Sequence, residues 1–194
     1  MFEERILRPM MAWAHLGMVD DGDGMRLIGQ IKHLGPLAYM HTTFRPVSSK
    51  QCVEYGRNYD ISIPRPIMEF LEISNGLRMF SNDISVSGVR QSYDRSDNVM
   101  LRMPYDLADP NRLERPAALP ENHYIFAFYA WDGSRGVMRP DGSVYRATRG
   151  LGDTSLGCWD TFDHWLLSEF ERVKAFFDLN GRPLADDAVI YGFQ

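Results

Sequence analysis

The stretch I-P-R-P-I-M-E-F-L-E-I-S-N-G, residues 63 to 76, contains the start, the apolar face and the end of one short helix. Its two prolines have a fixed φ, which suits a first helical turn and would break a later one. Ile67, Phe70 and Leu71 are spaced i, i+3 and i+4, so they share one face of the helix. Burying each of these side chains contributes about 1.5 to 3 kcal/mol. We therefore expect a sheet with a matching apolar face to follow.

Residues on either side of this helix predict its neighbours. Asn75-Gly76 is expected to end the helix, because glycine adopts the left-handed conformation past a helix end at low cost. Leu77 to Phe80 then begins a strand. Upstream, Ser48 and Gln51 have the spacing of a capping box, which predicts another short helix ending near Gly56.

Beyond residue 80 the apolar pattern changes to a period near two, which predicts strands separated by turns. The segment Y-I-F-A-F-Y-A-W, residues 124 to 131, is aromatic on both faces and predicts a central strand covered on both sides. Asp-Gly pairs at 132–133 and 141–142 predict hairpin turns. Further strands of this antiparallel meander are predicted at Ile84 to Arg90, Val99 to Met103, Gly136 to Arg139 and Ser143 to Thr148, with Val189 to Phe193 as a last candidate.

A final helix is predicted from Thr161 to Phe177, capped by Asp160 or Thr161 and ended by Asn180-Gly181. One face has apolar residues at helical spacing and is expected to pack on the sheet. The opposite face is expected to remain in water, and it carries Asp160, Asp163, Glu171 and Lys174. Between the sheet segments, a proline-containing stretch from Tyr105 to Asn122 predicts a long loop.

Residues 1 to 45 are predicted as an N-terminal extension whose pattern specifies no single element. Within them, D-D-G-D-G at 20–24 invites a calcium-binding interpretation. Aligning Gly24 with the obligatory glycine of an EF-hand loop places Val19 at the first ligand position and Gln30 where a bidentate Glu belongs. The motif fails at both ends, so we predict a turn.

The composition limits the classes of function. A formal net charge of -5 and a sequence pI near 5.5 argue against a broad nucleic-acid-binding surface, which needs clustered basic residues. Two cysteines without a C-x-x-C pattern predict reduced thiols and no metal site. The acidic N-terminus and the lack of any apolar run of about 18 residues predict neither a signal peptide nor a membrane span. The cytoplasm is therefore the expected compartment.

No catalytic constellation or cofactor motif emerges from the sequence. Gly150-Leu151-Gly152 has part of a dinucleotide-loop pattern, but Ser155 stands at the third-glycine position, so a plain connector is predicted. Trp131-Asp132-Gly133 fits a hairpin turn with a tryptophan at the core edge, or part of a recognition surface. The acids between Asp153 and Asp187 form a solvated face, or a surface for a basic partner.

The order of these motifs resembles that of the SUKH superfamily, which includes a yeast regulator of cell-wall glucan synthesis and many bacterial immunity proteins. The resemblance covers about residues 46 to 177. It is carried by P-V-S-S-K-Q at 46–51, I-P-R-P-I-M-E-F-L-E-I-S-N-G-L-R-M-F at 63–80, the strand and turn at 124–133, D-G-S-V-Y at 141–145 and T-F-D-H-W-L at 161–166. It implies an α+β fold for residues 46 to 194, with a curved antiparallel sheet packed against helices.

The resemblance also implies a protein without enzyme activity or cofactor. Bacterial proteins of this kind look like antidotes that bind and neutralise a cognate polymorphic toxin. The alternative is a regulatory scaffold that binds a cellular enzyme or a cell-wall synthesis component. For the antidote we expect a protein partner with a basic surface, neither nucleic acid nor membrane. This partner is predicted to contact Asp132, Asp160, Asp163 and Glu171.

Overall fold

The computed structural model describes residues 2–93, 101–149 and 155–184. Within these residues the chain forms a nine-stranded antiparallel sheet in which every strand pairs with its neighbours along the chain. The strands are β1 Met18–Asp20, β2 Arg26–Gln30, β3 Tyr39–Thr43, β4 Leu77–Met79, β5 Ile84–Val86, β6 Tyr124–Tyr129, β7 Arg135–Met138, β8 Val144–Ala147 and β9 Ser155–Trp159. With the helices packed on it, this sheet confirms the predicted α+β class and the antiparallel meander.

The helices lie before, between and after these strands. An N-terminal helical segment comprises a π-helical turn Glu3–Leu7, α1 Arg8–Met10 and a 3-10 portion Met11–Leu16. It is followed by α2 Ser49–Tyr59, α3 Arg65–Leu71 and α4 Phe162–Lys174. Buried side chains from the helical segment, from α3, from α4 and from the sheet belong to one hydrophobic core.

Helix α3 begins as predicted, with Pro64 as its N-cap and a second proline inside the first turn. Ile67, Phe70 and Leu71 are buried. The helix ends at Leu71, however, five residues before Gly76, so the predicted stop signal is wrong. Gly76 has φ +91° at the start of β4, and a Cβ there would lie 2.7 Å from the carbonyl oxygen of Val86. The close approach of β4 to β5, and not a helix cap, therefore requires this glycine.

The predicted capping box opens α2. The Gln51 N–H donates to Ser48 Oγ at 3.3 Å, and the Ser48 N–H donates to Gln51 Oε1 at 2.9 Å. The helix continues to Tyr59, three residues past the predicted end, and Asp60 then adopts the left-handed conformation. An aspartate tolerates that conformation better than most residues, so it can replace glycine at this position.

Of the two predicted caps of α4, Thr161 is the one used: its Oγ1 accepts a hydrogen bond from the His164 N–H at 3.1 Å. Trp165 is fully buried and donates from Nε1 to the Tyr129 hydroxyl at 2.8 Å. The helix ends at Lys174. Phe177, predicted as its last residue, lies beyond the helix and stacks on Phe80 with ring centroids 5.4 Å apart.

Strand β6 is covered on both faces, as predicted. On one face Phe126 contacts Trp165 of α4, with ring centroids 4.7 Å apart. On the other face Ile125 lies in a smaller cluster with Leu119 of the long loop and Val137 of β7. The stretch predicted as a loop contains a short π-helical turn, Asp109–Leu113. Asn111 of this turn ties it to the strand, because its amide exchanges hydrogen bonds with the backbone N–H and C=O of Ile125.

Residues 2 to 45, which belong to the predicted N-terminal extension, supply three strands and part of the core. Strand β3 pairs directly with β4, so the sheet runs across the boundary at residues 45 and 46. Trp13 of the N-terminal helical segment is 1% exposed and lies 5.1 Å from the ring of His41 on β3. Asp20 and Asp21 accept backbone hydrogen bonds within the β1–β2 connection, which confirms the predicted turn.

Four other predicted segments differ from the structure or are not described. The strand predicted at Ile84 to Arg90 ends at Val86, as β5. The strand predicted at Val99 to Met103 lies partly outside the described residues, and its described residues 101 and 102 are helical, so that prediction is wrong there. Residues 150 to 152 and 189 to 193 lie outside the described residues. No helix in the described ranges has the length and apolar character needed to cross a bilayer.

Candidate protein-binding groove

A surface groove of about 460 Å³ lies between α3, the β7–β8 turn and the N-terminus of α4. We call it the acidic groove. Its apolar floor is formed by Phe2, Phe70, Phe162 and Leu166, and its outer lining includes Ile73. The three elements come together because α3 and α4 both direct their apolar faces into the same core.

The floor of the acidic groove is continuous with the core. The rings of Phe2 and Phe70 lie 5.6 Å apart, and the rings of Phe70 and Phe162 lie 5.1 Å apart. Each of these rings belongs to a residue less than a tenth exposed, whereas Ile73 is 51% exposed. The groove thus combines a rigid aromatic base with one accessible aliphatic side chain.

Four carboxylates line the same groove, and two of them have partners within the chain. Glu69 accepts from Arg65 Nε at 2.7 Å. Asp141 accepts from the hydroxyl and the backbone N–H of Ser143, at 2.7 and 2.9 Å. These hydrogen bonds lower the pKa of Asp141, because they stabilise its charged form.

The other two carboxylates, Asp160 and Asp163, have no hydrogen-bonding or ion-pair partner among the described residues. Asp160 directly precedes the cap of α4, and Asp163 lies in its first turn. Both are exposed. The partial positive charge at a helix N-terminus favours acidic residues there. The chain therefore holds two negative charges beside an apolar floor, and no side chain among the described residues pairs with either of them.

The structure brings Asp160 and Asp163 together in the acidic groove, but not the other two predicted site residues. Asp132 lies in the β6–β7 turn, where its carboxylate accepts from Arg146 Nη2 at 2.5 Å and from the Ser134 N–H at 2.8 Å. Glu171, in the last turn of α4, pairs with Lys174 at 3.2 Å. Both of these charges are already matched within the chain.

The pair of Asp132 and Arg146 belongs to a larger arrangement around Trp131, which we call the ion-pair cluster. The guanidinium carbons of Arg146 and Arg172 lie 5.1 and 5.5 Å from the centroid of the Trp131 ring. Arg172 donates twice to Glu169, at 3.0 and 2.9 Å, and Glu169 is 3% exposed. The predicted turn with a tryptophan at the core edge is therefore what the structure has at Trp131.

Sequence reasoning missed two groove residues, Glu69 and Asp141. The helical period places Glu69 away from the apolar face of α3, and the sequence marks Asp141 only as a turn residue. Both assignments agree with the structure, but neither indicates that α3 and the β7–β8 turn face the start of α4. That juxtaposition depends on tertiary packing, and no local signal in the sequence carries it.

A second polar centre, away from the groove, has a structural role. Asp106 is 2% exposed and accepts hydrogen bonds from the hydroxyls of Tyr55 and Tyr93 and from the Ala108 N–H. Burial and the neighbouring carboxylate raise the pKa of Tyr55, so it stays a neutral donor. The network ties α2 to the loop before β6. Among the described residues, no group of His, Cys, Asp and Glu side chains is arranged to hold a metal ion.

Comparisons with known proteins give a distant structural likeness. No family model matches the sequence, and no curated protein matches it. The chain is similar to the crystal structure of a protein from Pseudomonas syringae pv. tomato, with 17% sequence identity and a TM-score of 0.38. The match covers 63% of this chain and 81% of that one.

Proposed function

We propose that this chain is a cytoplasmic immunity protein that binds a cognate bacterial toxin through the acidic groove and neutralises it by occlusion. The observation that carries the proposal is the pair of unpartnered carboxylates, Asp160 and Asp163, beside an apolar floor. Stable interfaces combine an apolar anchor with a polar rim. Complementary charge in that rim speeds association and rejects wrong partners.

The resemblance to the SUKH superfamily supplies the class of partner. Toxins neutralised by such proteins act in the cytoplasm, and many of them are nucleases. A nuclease needs a basic surface, because its substrate presents one negative charge per phosphate. An acidic groove that covers this surface would compete directly with the substrate, so inhibition by occlusion needs no catalytic residue on this chain.

Co-expression tests the proposal. The chain is produced together with the candidate toxin encoded by the neighbouring reading frame, and recovery of growth is scored. We expect the wild-type chain to restore growth and the double variant Asp160→Asn, Asp163→Asn to restore it less. The matched control is Glu54→Gln, which removes an exposed acid on α2 outside the groove and is expected to protect as well as the wild type.

Two outcomes would count against the proposal. If the wild-type chain binds the toxin candidate but gives no protection, neutralisation is rejected. If it instead co-purifies with a cellular enzyme or a cell-wall synthesis component and no toxin, the scaffold alternative replaces it. Full protection by the double variant would remove the acidic groove from the binding surface.

A further inference from the structure

The acidic groove has the dimensions of a site for side chains. Its volume of about 460 Å³ lies within the range of about 300 to 1,000 Å³ that is typical of pockets for small ligands. One aromatic or large aliphatic side chain with its neighbours fits such a volume. The groove therefore suits an anchor residue that projects from a partner's surface.

The floor of the groove favours an apolar anchor. Phe70, Phe162 and Leu166 are at most 5% exposed and are held by core packing, so an entering group can contact them without rearranging them. Ile73, half exposed just beyond α3, lines the same groove and offers an accessible aliphatic surface to an inserted side chain. Its backbone N–H is held by the Phe70 carbonyl at 2.9 Å, which fixes its position.

The charges select what accompanies the anchor. An apolar group inserted alone would partly desolvate Asp160 and Asp163 without giving them partners, and desolvating unpaired charges is unfavourable. An anionic group would be repelled. Lysine and arginine supply the missing cations, and their aliphatic stems lie well along apolar surface while the charged end reaches a carboxylate.

We propose that the acidic groove binds a segment of a partner protein in which an aromatic or large aliphatic residue is flanked by lysine or arginine. The apolar residue lies on the floor, and the flanking cations pair with Asp160 and Asp163. This inference deepens the proposed function by naming the feature of the partner that is recognised. It uses the same groove but does not require the partner to be a toxin.

The test uses the full chain and three synthetic peptides, G-S-K-F-K-S-G, G-S-K-S-K-S-G and G-S-E-F-E-S-G, with binding followed by changes in amide chemical shifts. We expect the first peptide to shift residues that line the groove and to bind most tightly. The peptide without the phenylalanine and the peptide with reversed charge should each bind roughly tenfold more weakly or not at all. Raising the NaCl concentration from about 0.05 to about 0.5 M should weaken binding of the first peptide, because salt screens exposed charges.

Variants of the chain separate the two parts of the site. Asp160→Asn with Asp163→Asn should remove the preference for lysine over glutamate, and Ile73→Asn should reduce the preference for phenylalanine over serine. Matched controls on α2 are Glu54→Gln and Val53→Asn. Glu54 is an exposed acid, and Val53 is 45% exposed, a fraction similar to the 51% of Ile73. Both controls should bind as the wild type does.

Three outcomes would overturn the inference. Equal shifts for the three peptides, or shifts outside the groove, would show that the groove does not select this chemistry. Shifts of the groove residues on dilution without peptide would make a second copy of the chain the occupant. Peptide binding without protection from the toxin would instead reject the proposed function alone, so the two failures are distinguishable.

Discussion

The ion-pair cluster and the acidic groove lie at different parts of α4 and differ in how completely their carboxylates are paired within the chain. In the cluster, Asp132 and Glu169 each accept hydrogen bonds from an arginine. In the groove, Asp160 and Asp163 have no partner in the described part of the chain. An acidic sequence therefore does not by itself mark a binding surface, because the fold determines which charges are already paired.

The energetics of the two regions differ for the same reason. A buried carboxylate such as Glu169 is tolerated only because a charged, doubly hydrogen-bonded partner offsets its desolvation. An exposed carboxylate such as Asp163 keeps its hydration and contributes little to stability until a partner arrives. The fold therefore depends on both partners of the cluster being present, and the groove remains available for binding.

The variant that we expect to lower stability most removes a cation from the ion-pair cluster. Replacing Arg172 by Met keeps the aliphatic stem beside Trp131 but leaves Glu169 buried without its cation. We expect the free energy of unfolding to fall by about 3 kcal/mol, the lower end of the effect of breaking a buried pair, because Arg172 is one-third exposed. Urea denaturation measures this change.

Lys174→Met is the matched control for that measurement. Its partner Glu171 is half exposed, so the loss should stay below about 1 kcal/mol. Equal losses in the two variants would mean that burial of Glu169 gives the cluster no special energetic weight.

Titration of a buried histidine is expected to change the stability of the whole fold at low pH. Variants in the two regions are therefore best compared above that pH range. His41 is fully buried against Phe80 and Phe170, and desolvation lowers its pKa from 6.5 to about 3. The unfolded chain therefore binds a proton between these values that the folded chain does not. Stability is lost as the pH falls through this range, by about 2 to 3 kcal/mol at about pH 4.5.

Chemical denaturation at a series of pH values checks this prediction. In His41→Leu the dependence on pH below 6.5 should flatten, whatever the stability of the variant at neutral pH. His123→Gln is the control, because His123 is only partly buried and should leave most of the dependence in place. If stability in His41→Leu depended on pH as steeply as in the wild type, the pH dependence would belong to other groups. Charge effects in the groove should be measured above pH 6.5, where His41 does not contribute.

Local signals predicted the later part of the fold well. Capping residues located α2 and α4, paired prolines located α3, and Asp-Gly turns located β7 and β8. The N-terminal strands were missed because their pattern is set by distant packing. Gly29 interrupts the apolar alternation of β2, and a Cβ there would lie 2.7 Å from Cβ of Trp13. Only the folded chain shows why a glycine stands in that strand.

The candidate site was predicted in part for a similar reason. Asp163 was found because the polar face of one helix can be derived from its period, and Asp160 was found because it was a candidate cap of the same helix. Asp132 and Arg146 are fourteen residues apart, and their pairing follows from the hairpin of β7 and β8. No count of acids and bases along the chain reveals that this carboxylate is already occupied.

Replacing aspartate by asparagine in each region compares the two directly, and the smallest change in stability is expected in the groove. Asp160→Asn with Asp163→Asn should change the free energy of unfolding by less than about 1 kcal/mol, since the lost attraction to the helix N-terminus is partly offset by weaker repulsion between the two acids. Asp132→Asn should cost about 1.5 to 3 kcal/mol, because it weakens a charged hydrogen bond to Arg146, whose side chain is 12% exposed. Thermal or urea unfolding compares them. If the groove variant proved as destabilising as Asp132→Asn, Asp160 and Asp163 would be structural residues, and weaker partner binding by that variant could no longer be attributed to lost recognition.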